Sequence, residues 1–327
     1  MKRIFLLTLA ISALCFAPNA LSQKILTTIP IGGQPGYLAV NTTTNMIYVP
    51  NQTLNTVTVI NGNSNQVVAN IPVGALPYAA AVNPATNLVY VSLPTSSPAP
   101  SVVVIDGATD TVTATIPASI PPFGIAVNSV TDLIYFSSFS SSNSSVGVIE
   151  GTSNQIVATL SLSTSCCVTA VSVDTSTNRI YVADDFSSQQ VVVIDGGTNK
   201  FKMFNVAGVC DLQYLAVDSL LNRIYAADSV CGGLYVIDGA NDKLITSLLP
   251  KDSGPTAVNQ ANHQVVDFAV NVLSFVNGRT GTIVGGSVNF PVGLGGLSIA
   301  AGNHNRYYVS FNGAGSTGIA VVSGPTP

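Results

Sequence analysis

The chain is 327 residues long, carries a formal net charge of −4 and has only 8% charged residues. That balance leaves no basic surface to neutralise phosphates, so nucleic acid is not an expected partner. Tryptophan is absent, which removes a common stacking anchor and argues against a WD40-type repeat.

The first predicted element is a processing segment. Lys2 and Arg3 precede an apolar run from Ile4 to Phe16, and Ala20-Leu21-Ser22 follow as a small-residue stretch. This pattern predicts a signal peptide over residues 1–22 and a mature chain from Gln23. Leu14 precedes Cys15 inside the apolar run, which does not fit a lipoprotein signal. Later apolar runs are broken every few residues by Gly, Pro, Asn or Asp, so no membrane span is expected. The expected product is an exported monomer of the periplasm, cell surface or medium, forming one domain over residues 23–327.

From Gln23 onward the chain repeats itself. The mature segment opens with a lone strand, Ile25 to Ile31. Seven copies of one unit follow, each beginning with a strand that ends in an acidic or amide residue: Leu38-Ala39-Val40-Asn41, Ala80-Ala81-Val82-Asn83, Ile125-Ala126-Val127-Asn128, Val171-Ser172-Val173-Asp174 and Leu215-Ala216-Val217-Asp218. Weaker copies stand at Ala257-Val258-Asn259 and Ile299-Ala300-Ala301. A second strand carries an aromatic mark at Tyr48, Tyr90, Tyr135, Tyr181, Tyr225 and Tyr308, with Val266 in the sixth slot, and successive marks stand 41–46 residues apart. A third strand ends in an acidic or amide residue plus glycine, as in Asn61-Gly62, Asp106-Gly107, Glu150-Gly151, Asp195-Gly196, Asp238-Gly239 and Asn277-Gly278. This step is expected to supply the positive φ of a tight hairpin.

Alternating β-branched strands at a period in the forties predict an all-β fold of four-stranded propeller blades. The seventh copy stops after its third strand at Val322, and the orphan strand at Ile25 supplies the missing fourth. The prediction is therefore a seven-bladed β-propeller of antiparallel blades, its ring closed by the N-terminal strand.

The stretch Asn178-Arg179-Ile180-Tyr181-Val182-Ala183-Asp184-Asp185, followed by Val191-Val192-Val193-Ile194-Asp195-Gly196-Gly197-Thr198-Asn199, resembles the YVTN family of β-propeller repeats. Similar matches cover essentially the whole mature chain. The tetrapeptide itself becomes Tyr48-Val49-Pro50-Asn51, Tyr90-Val91-Ser92-Leu93 and Tyr225-Ala226-Ala227-Asp228. The resemblance implies a seven-bladed, extracytoplasmic or cell-surface propeller and is not specific for an activity.

Blade geometry sorts the polar residues by face. Recurring carboxylates such as Asp106, Asp110, Asp132, Asp174, Asp195, Asp218, Asp238 and Asp242 read as turn chemistry. Arg179, Arg223 and Arg306 read as solvated charges on the turn face, where His263 and His304 also fall, away from the loops. Asp184, Asp185, Asp211, Asp228 and Asp252 map to the opposite, loop face with Lys251 as the nearby cation, and Asp267 lies within a strand. Such carboxylates make a candidate ligand or cation site, with Ca²⁺ as the ion they would suit. No cofactor is otherwise expected.

Four cysteines follow the signal segment: Cys166, Cys167, Cys210 and Cys231. An even count in an exported chain suggests disulfides. Cys210 with Cys231 is the favoured pair because both loops belong to the fifth blade; pairing of Cys166 or Cys167 with Cys210 is the alternative. The loops at 50–55, 94–100, 139–144 and 186–189 are rich in Ser, Pro, Gly and aromatics, which suits an adaptable binding surface. The leading functional expectation is a non-catalytic scaffold for a protein, glycan or small-molecule ligand. The competing one is a metal-dependent lactonase-like hydrolase using the loop-face carboxylates, and a redox role of the adjacent cysteines ranks third.

Overall fold

A computed structural model describes residues 23–95, 97, 99–139, 143–162, 168–184, 189–248, 253–291, 295–313 and 315–325. The predicted signal segment lies outside them. Blade 1 consists of Ala39–Asn41, Met46–Asn51, Thr56–Asn61 and Gln66–Pro72, hydrogen-bonded in chain order and antiparallel throughout. Blades 2 to 6 repeat that order from first strands starting at Ala79, Ile125, Val168, Leu212 and Thr256. Blade 7 is built from Gly295–Ala301, Arg306–Gly313 and Ser316–Ser323, with Ile25–Pro30 as its outer strand. Ile25 faces Val322 and Pro30 faces Gly318, so the two ends of the chain share one sheet. The fold is a seven-bladed β-propeller. Among the described residues no helix is long and apolar enough to cross a membrane.

Each strand's burial follows from its radial position. Second and third strands are covered on both faces by neighbouring blades, so Val57, Val59 and Ile60 are all fully buried and the run reads as continuous β-branched sequence. Outer strands have a free edge and a weaker pattern, with Val67 and Val68 exposed.

On the turn face the Asx residue ending the first strands of blades 1, 2, 3 and 5 does two jobs. Asn41 Oδ1 accepts the N–H of Thr43 (2.9 Å) within its own turn, while its Nδ2 donates to Asn87 Oδ1 of blade 2 (2.7 Å). Asn83 reaches Asp132 (2.7 Å) and Asn128 reaches Asn178 (2.8 Å) in the same way. Between blades 5 and 6 the link is Asp218 Oδ2 to His263 Nδ1 (2.8 Å), which makes His263 a buried latch. His304 is exposed.

The Asx-Gly steps differ from expectation in an instructive way. Positive φ falls not on Gly62 or Gly107 but on the polar residues that end those turns, Asn65 and Asp110, and likewise on Asn154, Asn199 and Asp242. The glycines answer a different need. Each donates its N–H to the carbonyl of the left-handed residue in the same blade's first turn, as Gly62 to Asn45 (2.8 Å) and Gly107 to Asn87 (2.9 Å). Some also face the previous blade: a Cβ on Gly107 would lie 2.5 Å from the Tyr48 hydroxyl, and one on Gly62 would lie 2.6 Å from that of Tyr308, whereas on Gly151 and Gly196 it would first meet Asp132 and Asn178 of the same blade. At those seams the two marks of the repeat, tyrosine and glycine, are halves of one inter-blade contact. Burial raises the phenols of Tyr48, Tyr90 and Tyr135 to about 12, so they stay neutral.

The arginines are half-buried and, beyond being turn-face charges, tie their blades to the next. Arg306 Nη1 donates to the carbonyl of Gly62 (3.0 Å), and Arg179 and Arg223 donate to Gly239 and Gly278, again in the next blade. Blade 6 departs from the four-strand pattern. Its outer strand is two short pieces, Thr282–Ile283 and Val288–Asn289, parted where Gly285 takes φ +68° and Gly286 donates its N–H to the Gln23 side chain (2.8 Å).

Gly107→Ala should cost about 1–3 kcal/mol in urea unfolding by overpacking this contact. Adding Tyr48→Phe to it should recover part of that loss, because the hydroxyl is the nearest atom to the new methyl; a purely additive double variant would contradict the pairing.

Candidate functional site

The innermost strands enter from the loop face and converge on the ring axis. Their approach is close: a Cβ on Gly36 would sit 2.1 Å from the Tyr78 carbonyl, so only glycine lets the first two blades meet there. Tyr37 and Ala79 form a parallel bridge across that junction. Serines on second strands fix the entry of the following blades. Ser92 Oγ donates to the Phe123 carbonyl (2.6 Å) and Ser137 Oγ to that of Thr169 (2.9 Å).

The result is a cavity of about 200 Å³ at the loop-face end of the central channel, to which all seven blades contribute. Its polar side chains are phenols, hydroxyls and one carboxamide: Tyr37, Tyr78, Tyr214, Thr169, Thr256, Ser298 and Gln213. No charged side chain lines it among the described residues.

Three tyrosines dominate this end. The ring of Tyr37 lies 5.3 Å from that of Tyr78 and 6.4 Å from that of Tyr214, centroid to centroid. Aromatic contacts then continue outward over blade 3, with Tyr78 edge-on to Phe123 (5.5 Å) and Phe123 stacked on Phe139 (4.3 Å). Burial, and then the adjoining phenols of Tyr78 and Tyr214, raise the Tyr37 phenol far above its ordinary range. It is a permanent hydrogen-bond donor at any physiological pH.

The predicted acidic residues take other places. Asp228 is fully buried, and its carboxylate accepts backbone N–H groups from Cys210 (2.7 Å), Val230 (2.9 Å) and Cys231 (3.0 Å). Asp184 occupies the equivalent position in blade 4 and is also buried, while Asn51 of blade 1 caps its own loop through Leu54 N–H (3.3 Å). Asp211 accepts from Gln213 Nε2 (3.2 Å) and so braces a residue of the cavity wall. Asp267 is fully buried at a position filled by valine in blades 1, 2, 4 and 7; Ser253 Oγ donates to it (2.7 Å), and it lies outside the channel lining. Burial pushes its carboxyl up to about 7, opposed by Ser253 and the Gly254 N–H. Asp185, Asp252, Lys251, Cys166 and Cys167 lie outside the described residues.

Cys210 and Cys231 are joined by a disulfide spanning 21 positions, a closure that stabilises by about 3 kcal/mol. It ties the loop entering blade 5 to the loop after its second strand, four residues before Tyr214. Among the described residues the only three metal-competent side chains with ligand atoms within 4.8 Å of one another are Cys210, Asp228 and Cys231. The two sulfurs of that group are spent on each other. No three of the described loop-face carboxylates lie within 4.8 Å of one another.

Sequence reasoning passed over the residues that do converge. Their signal was available in the aligned copies, where an aromatic stands four or five places before the Asx that ends the first strand: Tyr37, Tyr78, Phe123 and Tyr214.

No protein-family profile matches the chain, and no curated protein does. Solved structures match in fold. Hydrazine synthase from Kuenenia stuttgartiensis aligns with a TM-score of 0.76 at 16% identity, over 89% of this chain and 95% of that one. U3-55K aligns at 0.76 and 11% identity over 92% and 98%, and the WD40 repeats of RRP9 at 0.75 and 11% over 92% and 97%. At these identities the likeness concerns the propeller alone.

Asp267 makes stability depend on pH. Its folded-state pKa of about 7 exceeds the ordinary 3.8, so the unfolded chain ionises first and stability falls as pH rises from about 4 to 7, by a few kcal/mol at most. Asp267→Asn keeps the acceptor for Ser253 and should raise the urea midpoint at pH 8 while flattening that decline; an unchanged pH profile would contradict the assignment.

Proposed function

We propose that this chain is an exported, non-catalytic binding propeller that takes an uncharged ligand into the tyrosine-lined end of its central channel. One observation carries the reading: the single cavity built by all seven blades has phenol, hydroxyl and carboxamide side chains and no charged one among the described residues. A hydrolase of the lactonase type needs a cation or a base beside the bound carbonyl. The described candidate carboxylates are turned to other work, in capping loops and bracing Gln213. Buried neutral donors and aromatic faces suit binding, where specificity comes from a few fixed hydrogen bonds.

Export is supported by the Lys2-Arg3 and apolar leader and by the Cys210–Cys231 disulfide, a bond of oxidising compartments. The tetrapeptides Tyr48-Val49-Pro50-Asn51 and Tyr181-Val182-Ala183-Asp184 support membership of the YVTN propellers.

A ligand-observed NMR screen of matched uncharged and anionic fragments tests the reading. Uncharged fragments should dominate the binders, and Tyr214→Arg, which sets a charge in the mouth, should abolish their binding. Binding by anionic fragments alone, or a melting temperature that rises with Ca²⁺ and falls with chelator, would favour the hydrolase instead.

A further inference from the structure

The channel mouth also indicates what kind of uncharged ligand it takes, an inference that rests on the binding reading above. The cavity lies on the ring axis and is bounded by all seven blades. A site closed on every side admits the end of a chain or a small molecule, not the middle of a polymer. Its volume of about 200 Å³ equals about seven waters at roughly 30 Å³ each, the scale of one sugar ring.

Three features narrow the chemistry. The tyrosine rings are already in contact with one another, at centroid separations of 5.3 and 6.4 Å, within the range of packed aromatic pairs. Tyr37 packs against both partners at tilts of 45° and 44°, so no cation fits between it and either ring, which disfavours a caged quaternary ammonium ligand. The polar groups at hand are neutral: the Tyr37, Tyr78 and Tyr214 hydroxyls, and Gln213 held by Asp211 (3.2 Å). A peptide end would bring an ammonium or carboxylate into a wall without a counter-charge and lose its hydration there. A glycan ends in hydroxyls and carries no such penalty. Finally, the aromatic contacts run on from Tyr78 to Phe123 and Phe139 over blade 3, which offers apolar ring surface beyond the cavity for a second unit.

We propose that this end of the channel takes the uncharged terminal residue of an oligosaccharide, whose next residue lies over Phe123 and Phe139. The phenols and Gln213 hydrogen-bond the terminal hydroxyls, and the aromatic strip supplies the faces on which pyranose rings pack.

The test is a titration of the mature protein with neutral gluco-, galacto-, manno- and N-acetylglucosamine oligosaccharides of one to four residues. Tyrosine emission reports binding directly, because the chain has no tryptophan. At least one series should bind, more tightly as a trisaccharide than as a monosaccharide. Phe139→Ala should weaken the trisaccharide roughly two- to tenfold, Tyr214→Ala should abolish binding, and Tyr214→Phe, which keeps the ring and safeguards the fold, should weaken every length. Val130→Ser on the exposed turn face serves as the unaffected control. Saccharide binding indifferent to Tyr214 and Phe139, or tighter binding there of an end-capped proline-rich peptide, overturns the proposal. Response to uncharged non-sugar fragments but to no saccharide overturns it while leaving the binding reading intact; response to nothing uncharged overturns both.

Discussion

The structure depends on how closely one blade can approach the next, and at three of the seams the contact that limits this distance is a phenol against a glycine. Tyr48 meets Gly107 and Tyr308 meets Gly62, with Tyr225 and Gly278 the same pair between blades 5 and 6. A methyl group in place of the glycine hydrogen would hold the blades apart, because protein interiors have no slack of that size. Arginines above the same turns and Asx side chains beneath them add hydrogen bonds across the same seam. Closure by Ile25–Pro30 then removes the interface that would otherwise stay open.

The channel mouth is a consequence of that spacing. Seven tightly set blades bring seven innermost strands to one axis, where Gly36 lets the strand bearing Tyr37 meet the carbonyl of Tyr78. Aromatics carried into the axis by the strand entries have nowhere to go except against one another. Tyr214 stands in a strand, and Tyr37 and Tyr78 stand on the entry segments directly before the first strands of blades 1 and 2, tied to each other's blades by the bridge of Tyr37 to Ala79.

Much of the fold was legible in the sequence, because the strand period recurs seven times, the turn chemistry and the aromatic mark recur in most copies, and the unpaired first strand matches the incomplete last copy. The glycine of the Asx-Gly step was legible as a position but not as a cause: a hairpin glycine and a glycine making room for a neighbour's hydroxyl look the same in one dimension. Arg179, Arg223 and Arg306 misled for a similar reason, since their carbonyl partners sit in the following repeat. The loop-face aspartates drew attention as charged groups in a chain with few of them, yet Asp228 serves its own backbone. What convergence there is comes from Tyr37, Tyr78 and Tyr214, separated by 41 and 136 positions, and only ring closure brings them together.

The central claim is that the functional end of this propeller is its neutral, tyrosine-lined channel mouth. A crystal structure of residues 23–327 soaked in a saturating neutral trisaccharide tests it most directly. The account predicts ligand density bounded by Tyr37, Tyr78 and Tyr214. Density confined to the outer strands or the turn face, with the mouth holding solvent alone, would contradict it.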